Sequence, residues 1–310
     1  MPEIQETRLG IRKALGLKGQ KKSKSQLELE LFRPKEQDRN FHLGGRSFYF
    51  FDFDDNVAYL STPIVLFHKE TEKEVFVSSG EFAKENKKIG SEGVYKDYYM
   101  NFNDDHGSFR YFRDKDFGLL DKIVRKKQTF VQDIEKALSN PDYHWKAPSW
   151  ECFYHATYNQ RPMSVITARG HNAETMVEGI KLMVRDGHLP MMPNFLSIYP
   201  VSNPDTRIEL GDRDLKSNVA ELKRAAIRES VEKAIQEYGY NPHHRFGMSD
   251  DDEKNIELIT EEMKYLKRKY PEMSFFVIQT FEHSYIKREI LQQRTRRVKV
   301  GDETEQLNLF

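Results

Sequence analysis

Five short apolar runs stand out along the chain, at residues 47–51, 163–167, 195–199, 245–249 and 275–280. Runs of this length, bounded by polar and turn residues, read as strands buried on both faces. Helical stripes separate the last four. Met176, Ile180, Met183 and Val184 recur at helical spacing, with Asn172 as N-cap and Gly187 as stop. Val219, Leu222, Ala226, Ala234, Ile235 and Tyr238 form a longer stripe that Gly239 ends, and Ile256, Ile259, Met263 and Leu266 form a third. Strands alternating with helices predict an α/β class built on a doubly wound, mainly parallel sheet. The stripes themselves are core and carry no chemistry.

One interval breaks the alternation. About 105 residues separate the first strand from the second, too many for a simple crossover. Within it, 64–67 and 74–77 predict a hairpin, 95–117 is rich in aromatic and charged residues, and 130–138 is helical. Residues 150–159 return to the core as a helix. The pattern therefore predicts a core of 47–59 and 146–300 with an α+β insertion at 60–145 over one end of the sheet. After the fifth strand, 284–293 reads as helical. Residues 1–46 form a basic tail and lead-in, with Leu27, Leu29 and Leu31 alternating like an edge strand. Residues 301–310 form a C-terminal tail.

Composition narrows the class. Lys plus Arg and Asp plus Glu both number 49, so the net charge is zero and a uniformly basic nucleic-acid coat is not expected. Local patches remain: Arg12, Lys13, Lys18, Lys21, Lys22 and Lys24 run without an acid among them, which fits a solvated arm better than an anion contact. No apolar run approaches bilayer length, so no membrane partner is expected. The N-terminus lacks an apolar signal core, and the single cysteine, Cys152, permits neither an internal disulfide nor a cysteine metal cage. A cytoplasmic location is the expectation.

Three of the strands end in reactive groups. The first leads into Asp52-Phe53-Asp54-Asp55-Asn56, the second ends in Thr167-Ala168-Arg169-Gly170, and the fourth in Ser249-Asp250-Asp251-Asp252, with Asn255 beyond. Ligands of open α/β sheets bind beyond the carboxyl ends of the strands, so chain-distant residues at these ends can meet. Asp52, Asp54 and Asp250, ionised together, would repel one another. A divalent cation relieves this, and hard oxygen ligands suit magnesium. Two carboxylates two residues apart can divide the work: one ligates metal and attacks, the other trades a proton. Thr167 offers a hydroxyl to an anionic oxygen, and a lysine would complete the charge balance around a phosphoryl group. Each piece alone is commonplace. A D-x-D pair is an ordinary turn, and three aspartates in a row suit the first turn of a helix.

Together, and in this order, these segments resemble the haloacid dehalogenase superfamily of phosphohydrolases. Its first motif, an apolar strand followed by D-x-D, is matched by Asp52 and Asp54; its second by Thr167; its fourth, an acidic pair with a further Asp or Asn, by Asp250, Asp251 and Asn255. The third is a lysine near the start of the preceding helix. Lys223 is the choice, in the second turn if Ser217 or Asn218 caps that helix, and Lys216 is the runner-up. The chain departs from the motif at Asp55, where Gly is common, and at Asn56, where Thr or Val is usual.

The resemblance implies a Rossmann-like core, a cap inserted after the first strand and a magnesium-dependent phosphatase. Asp52 would attack phosphorus and Asp54 would act as acid and then base. Magnesium would bind Asp52, the Asp54 carbonyl, Asp250 and Asp251. Thr167, Ala168, Arg169 and Lys223 would hold the phosphoryl oxygens. The second acid favours phosphate over halide chemistry, because halide leaves without a proton. The dense aromatics of the insertion, Tyr95, Tyr98, Tyr99, Phe102, Phe109, Tyr111 and Phe112, can stack a base or sugar or form the small core of a cap. Asp104-Asp105-His106-Gly107 reads as a turn, and His243-His244 as strand-start surface rather than a metal pair.

The chain closes with Gln306-Leu307-Asn308-Leu309-Phe310. This ending resembles the Q-L-x-L-F peptide by which bacterial proteins bind the replicative sliding clamp. It implies a clamp partner and shades the substrate toward a nucleotide or nucleic-acid end. The alternative is a scaffold that keeps the fold, has lost turnover and works through the tail.

Overall fold

A computed structural model describes residues 34–103, 105–124, 126–140, 144–281, 284–292 and 295–297. The basic run at 11–25, the alternating leucines at 27–31 and the peptide at 306–310 lie outside them.

Strand β1 (Ser47–Phe51) is buried at every position because it feeds two cores. Phe48 and Phe50 point to one face and Tyr49 and Phe51 to the other, as the period of two requires. It sits inside a seven-stranded sheet. Strands β5 (Pro162–Thr167) and β6 (Asn194–Pro200) extend the sheet on one side. Strands β7 (Arg245–Asp250), β8 (Ser274–Phe281), β9 (Ser284–Ile290) and β10 (Thr295–Arg297) extend it on the other, giving the order β10-β9-β8-β7-β1-β5-β6. β1 pairs in parallel with β5 and β7, β5 with β6, and β7 with β8. The order reverses at β1, and in open α/β sheets this is the place where ligands bind, beyond the carboxyl ends of the strands.

Helices cover both faces. Residues of Val219–Tyr238 and Glu253–Lys269 pack with Phe48 and Phe50, while Thr129–Ser139, Trp150–Tyr158 and Ala173–Arg185 pack with Tyr49 and Phe51. Among the described residues, no helix is long and apolar enough to cross a membrane.

Three expectations change. Residues 284–293 are not helical: 284–290 form β9, antiparallel to β8 from Phe281↔Ser284 to Phe275↔Ile290. Tyr285 then packs against one core and Ile290 against the other, so alternation across the sheet overrides the helix-forming Lys, Arg, Glu and Leu of this segment. The insertion is also shorter than 60–145. Phe130, Val131, Ile134 and Ala137 belong to the main core, and Phe130 seats where Gly179 leaves room; a Cβ there would lie 2.4 Å from its ring. Asn172 occupies the N-cap position but makes no side-chain capping bond; its Oδ1 instead accepts from Asn203.

What remains of the insertion is a small antiparallel sheet. Its strands are β2 (Ile64–His68), β3 (Glu74–Val77) and β4 (Tyr98–Tyr99), in the order β3-β2-β4. Ile64, Leu66, Val77 and Tyr95 form its core, joined by Phe82, Tyr98, Phe109 and Phe112. Four of the aromatics that could have stacked a base are therefore structural, and Phe102 stands exposed. The Phe112 carbonyl accepts from Gly170 N–H, and Asp114 accepts from Asn172 N–H and the Thr175 hydroxyl. These bonds fasten the unit to the loop that follows β5.

Candidate active site at the carboxyl edge of the sheet

The loop after β1 is a tight turn. Asp52 N–H donates to the Ser249 carbonyl, and the Phe53 carbonyl accepts from both Val57 and Ala58. Asp55 takes a left-handed φ of 57°, a conformation Asp tolerates better than most residues. Its neighbour Asn56 is fully buried and pins the turn. The Asn56 amide donates to the Asp52 carbonyl and to the Ser249 carbonyl and hydroxyl, and its Oδ1 accepts from the Ser149 and Thr280 hydroxyls. A Thr or Val could not make this set, so Asn56 is a built-in anchor. Sequence reasoning saw only a departure from the motif there.

Asp250 is the last residue of β7 and wholly buried. It accepts from Asp252 N–H and from the Asn255 amide. Of the three consecutive aspartates, Asp252 is the one that caps a helix, accepting from Lys254 N–H. Lys223 comes from the helix Val219–Tyr238, whose start is fixed by a capping box between Asn218 and Glu221. It is 4% exposed, and its Nζ lies 3.1 Å from Asp52 Oδ1 and 2.9 Å from Asp250 Oδ2. Lys216 is exposed, and its N–H donates to Asp212.

The electrostatics of the cluster are lopsided. Burial pushes the Asp52 carboxyl well up, Lys223 opposes this, and Asp250, Asp251 and Asp54 add to it. Burial and the neighbours Asp250 and Asp55 push Asp251, at the solvent rim, up to about 7. Burial alone would lower Lys223, but the Asp250 and Asp52 carboxylates outweigh it and hold the ammonium charged. Carboxylate oxygens of Asp52, Asp250 and Asp251 lie within 4.8 Å of one another, so one small cation can be held by all three. One lysine against three carboxylates leaves negative charge that a hard divalent cation suits.

Thr167 ends β5; its hydroxyl donates to Asp54 Oδ2 at 3.2 Å and accepts from Arg169 N–H. Ala168 is exposed beside it. Arg169, expected on the phosphoryl group, is 1% exposed and turned into Asp54: Nε lies 3.0 and 2.9 Å from its two oxygens and Nη2 lies 2.6 Å from Oδ1. Its Nη2 also donates to the Thr62 hydroxyl, which in turn bonds Asp133. Thr62 and Asp133 carry no local motif and only tertiary packing reveals them. His244 is buried, accepting from Arg46 N–H at Nδ1 with Nε2 2.9 Å from the Gly239 carbonyl, and His243 is exposed. Both serve the start of β7, far along the strand from the acids. Comparison with family models, with curated proteins and with solved structures returned no match to this chain.

Proposed function

We propose that this chain is a magnesium-dependent phosphohydrolase of the haloacid dehalogenase type, acting on a phosphate monoester, with the small sheet at 60–117 serving as its cap. The observation that carries the reading is the convergence of Asp52, Asp250 and Lys223, from three distant segments, at the edge where the strand order reverses. Asp52 is the nucleophile: its oxygen bonds to phosphorus as the ester P–O bond breaks, and Asp54 gives the leaving oxygen its proton. Asp54 then takes a proton from the water that hydrolyses the aspartyl-phosphate and regenerates Asp52. Thr167 and Lys223 hold phosphoryl oxygens in line with Asp52. Magnesium fits Asp52, Asp250, Asp251 and the Asp54 carbonyl, and when bound it supplies neutralisation of the phosphate charge.

The test is phosphate release from an aryl phosphate with magnesium present and absent, in the wild type and in Asp52→Asn. Magnesium-dependent release that Asp52→Asn abolishes supports the reading; no release from any member of a nucleotide and oligonucleotide-end panel rejects it. The C-terminal sequence Gln306-Leu307-Asn308-Leu309-Phe310 favours a second reading, a clamp-binding scaffold without turnover. An absence of phosphatase activity together with clamp capture lost on deleting 306–310 would select it.

A further inference from the structure

Arg169 is a cation held in a closed box. Its guanidinium carbon lies 4.9 Å from the centroids of both the Phe112 and the Phe130 rings, close enough for cation–π attraction to each. Two of its three nitrogens fork onto Asp54, and one of these also reaches Thr62. The third, Nη1, is buried without a hydrogen-bond partner. Beside it, His171 is fully buried with both ring nitrogens unpartnered; burial first, and then Arg169, push it down to about 2, so the imidazole is neutral. The guanidinium thus serves Asp54 and Asp133 without a competing positive charge. Asp54 itself sits on the loop after β1, and its carboxylate is otherwise held only by the Thr167 hydroxyl among the bonds seen.

We infer that Arg169 is a positioning residue for Asp54, aiming its carboxylate through a planar fork braced by Thr62, Asp133, Phe112 and Phe130, and is not a phosphate ligand. The inference rests on the phosphohydrolase reading and sharpens it. A fork of two parallel bonds fixes the rotation of a carboxylate as well as its place, which a lysine point charge cannot do. In its acid form Asp54 carries the proton on Oδ2, while Oδ1 keeps the bonds from Nε and Nη2. Delivery of that proton to the leaving oxygen leaves the carboxylate, so the loss should scale with how much the leaving group needs the proton. Phe112 comes from the small sheet and Phe130 from the main core, so the box also joins the two units at the acid.

The experiment compares kcat/KM of Arg169→Lys, Thr62→Val and Asp54→Asn on a dinitrophenyl phosphate and on an alkyl phosphate. This ratio reports only the steps up to departure of the leaving group. Arg169→Lys should lose about 100-fold or more on the alkyl ester and only a few-fold on the dinitrophenyl ester. Thr62→Val should show the same split more weakly, and Arg169→Lys with Asp54→Asn should be no worse than Asp54→Asn alone. Equal losses on both esters, or a rise in KM alone, would show a phosphate ligand or a merely structural arginine and overturn the inference. A crystal structure of Arg169→Lys decides without turnover: Asp54 spread over several rotamers supports the inference, and Asp54 unmoved rejects it. Absence of activity in the wild type would reject the phosphohydrolase reading and leave that structural outcome to stand by itself.

Discussion

Lys223 and Arg224 are neighbours on one helix, yet they serve two charge clusters built on opposite terms. Arg224 and Arg228 both reach Glu262, a fully buried carboxylate with its guanidinium partners 2.9 to 3.2 Å away. Those arginines are 38% and 43% exposed and keep much of their hydration. One acid has two cations, so no negative charge is left uncompensated. Lys223 faces the other way, toward Asp52 and Asp250, and is itself buried. There one cation faces three acids, and the Asp52 and Asp251 carboxyls are pushed up. The first cluster holds two helices together. The second has more acids than cations, so its carboxyls hold their protons to higher pH and a cation could take the place of those protons.

The comparison breaks most visibly at Asp52. Asp52→Asn should reduce phosphate release by on the order of 10³-fold or more while leaving the fold intact, checked by single-turnover kinetics and circular dichroism. The matching change in the other cluster, Glu262→Gln, should leave release unchanged.

Next comes Lys223→Met. It strands two buried carboxylates, so the metal-free protein should lose about 3 kcal/mol or more, read from urea unfolding. Magnesium should restore part of this loss. At about 100 times its dissociation constant a cation adds about 2.7 kcal/mol, and the added stability should vanish in Asp250→Asn. Glu262→Gln, by contrast, should cost about 1 to 2 kcal/mol regardless of magnesium, because its arginines can turn to water.

The smallest effect is on pH. Asp251 and Asp52 are raised above their unfolded values, so the folded chain binds more protons than the unfolded chain across the window from about 4 to about 7. Stability should therefore be highest at the acid end of that window and fall as pH rises through it. Saturating magnesium should flatten the slope. Melting temperatures at pH 5, 6, 7 and 8 (roughly spanning the window), with chelator or with magnesium, measure it. A slope rising with pH would contradict the unbalanced cluster.

Much of this was legible along the chain, for reasons that differ from element to element. β1 runs 47–51 as expected, since five consecutive apolar or small residues before Asp52 leave little alternative to a strand buried on both faces. The helix Val219–Tyr238 was legible from its stripe and from Gly239, which takes a φ of 79° at its end. β9 was not legible, because its residues favour a helix locally and only the free edge of β8 makes them a strand. The helix Thr129–Ser139 was seen, but its allegiance was not: membership of the main core depends on the space above Gly179, some 50 residues on.

At the site the same division holds. The chain order of Asp52, Asp54, Thr167 and Asp250 is enough to suggest a meeting place, because parallel strands bring their carboxyl ends to one edge whatever their separation in sequence. Residue type alone fixed which groups could bind a cation or attack. Only the tertiary structure decided which lysine faces the acids, that Arg169 turns to Asp54, and that Asn56 makes five hydrogen bonds to four residues, three of them from distant segments. Side-chain direction and burial arise from packing between distant elements, and a one-dimensional pattern records the strength of a local preference without recording what it will be packed against.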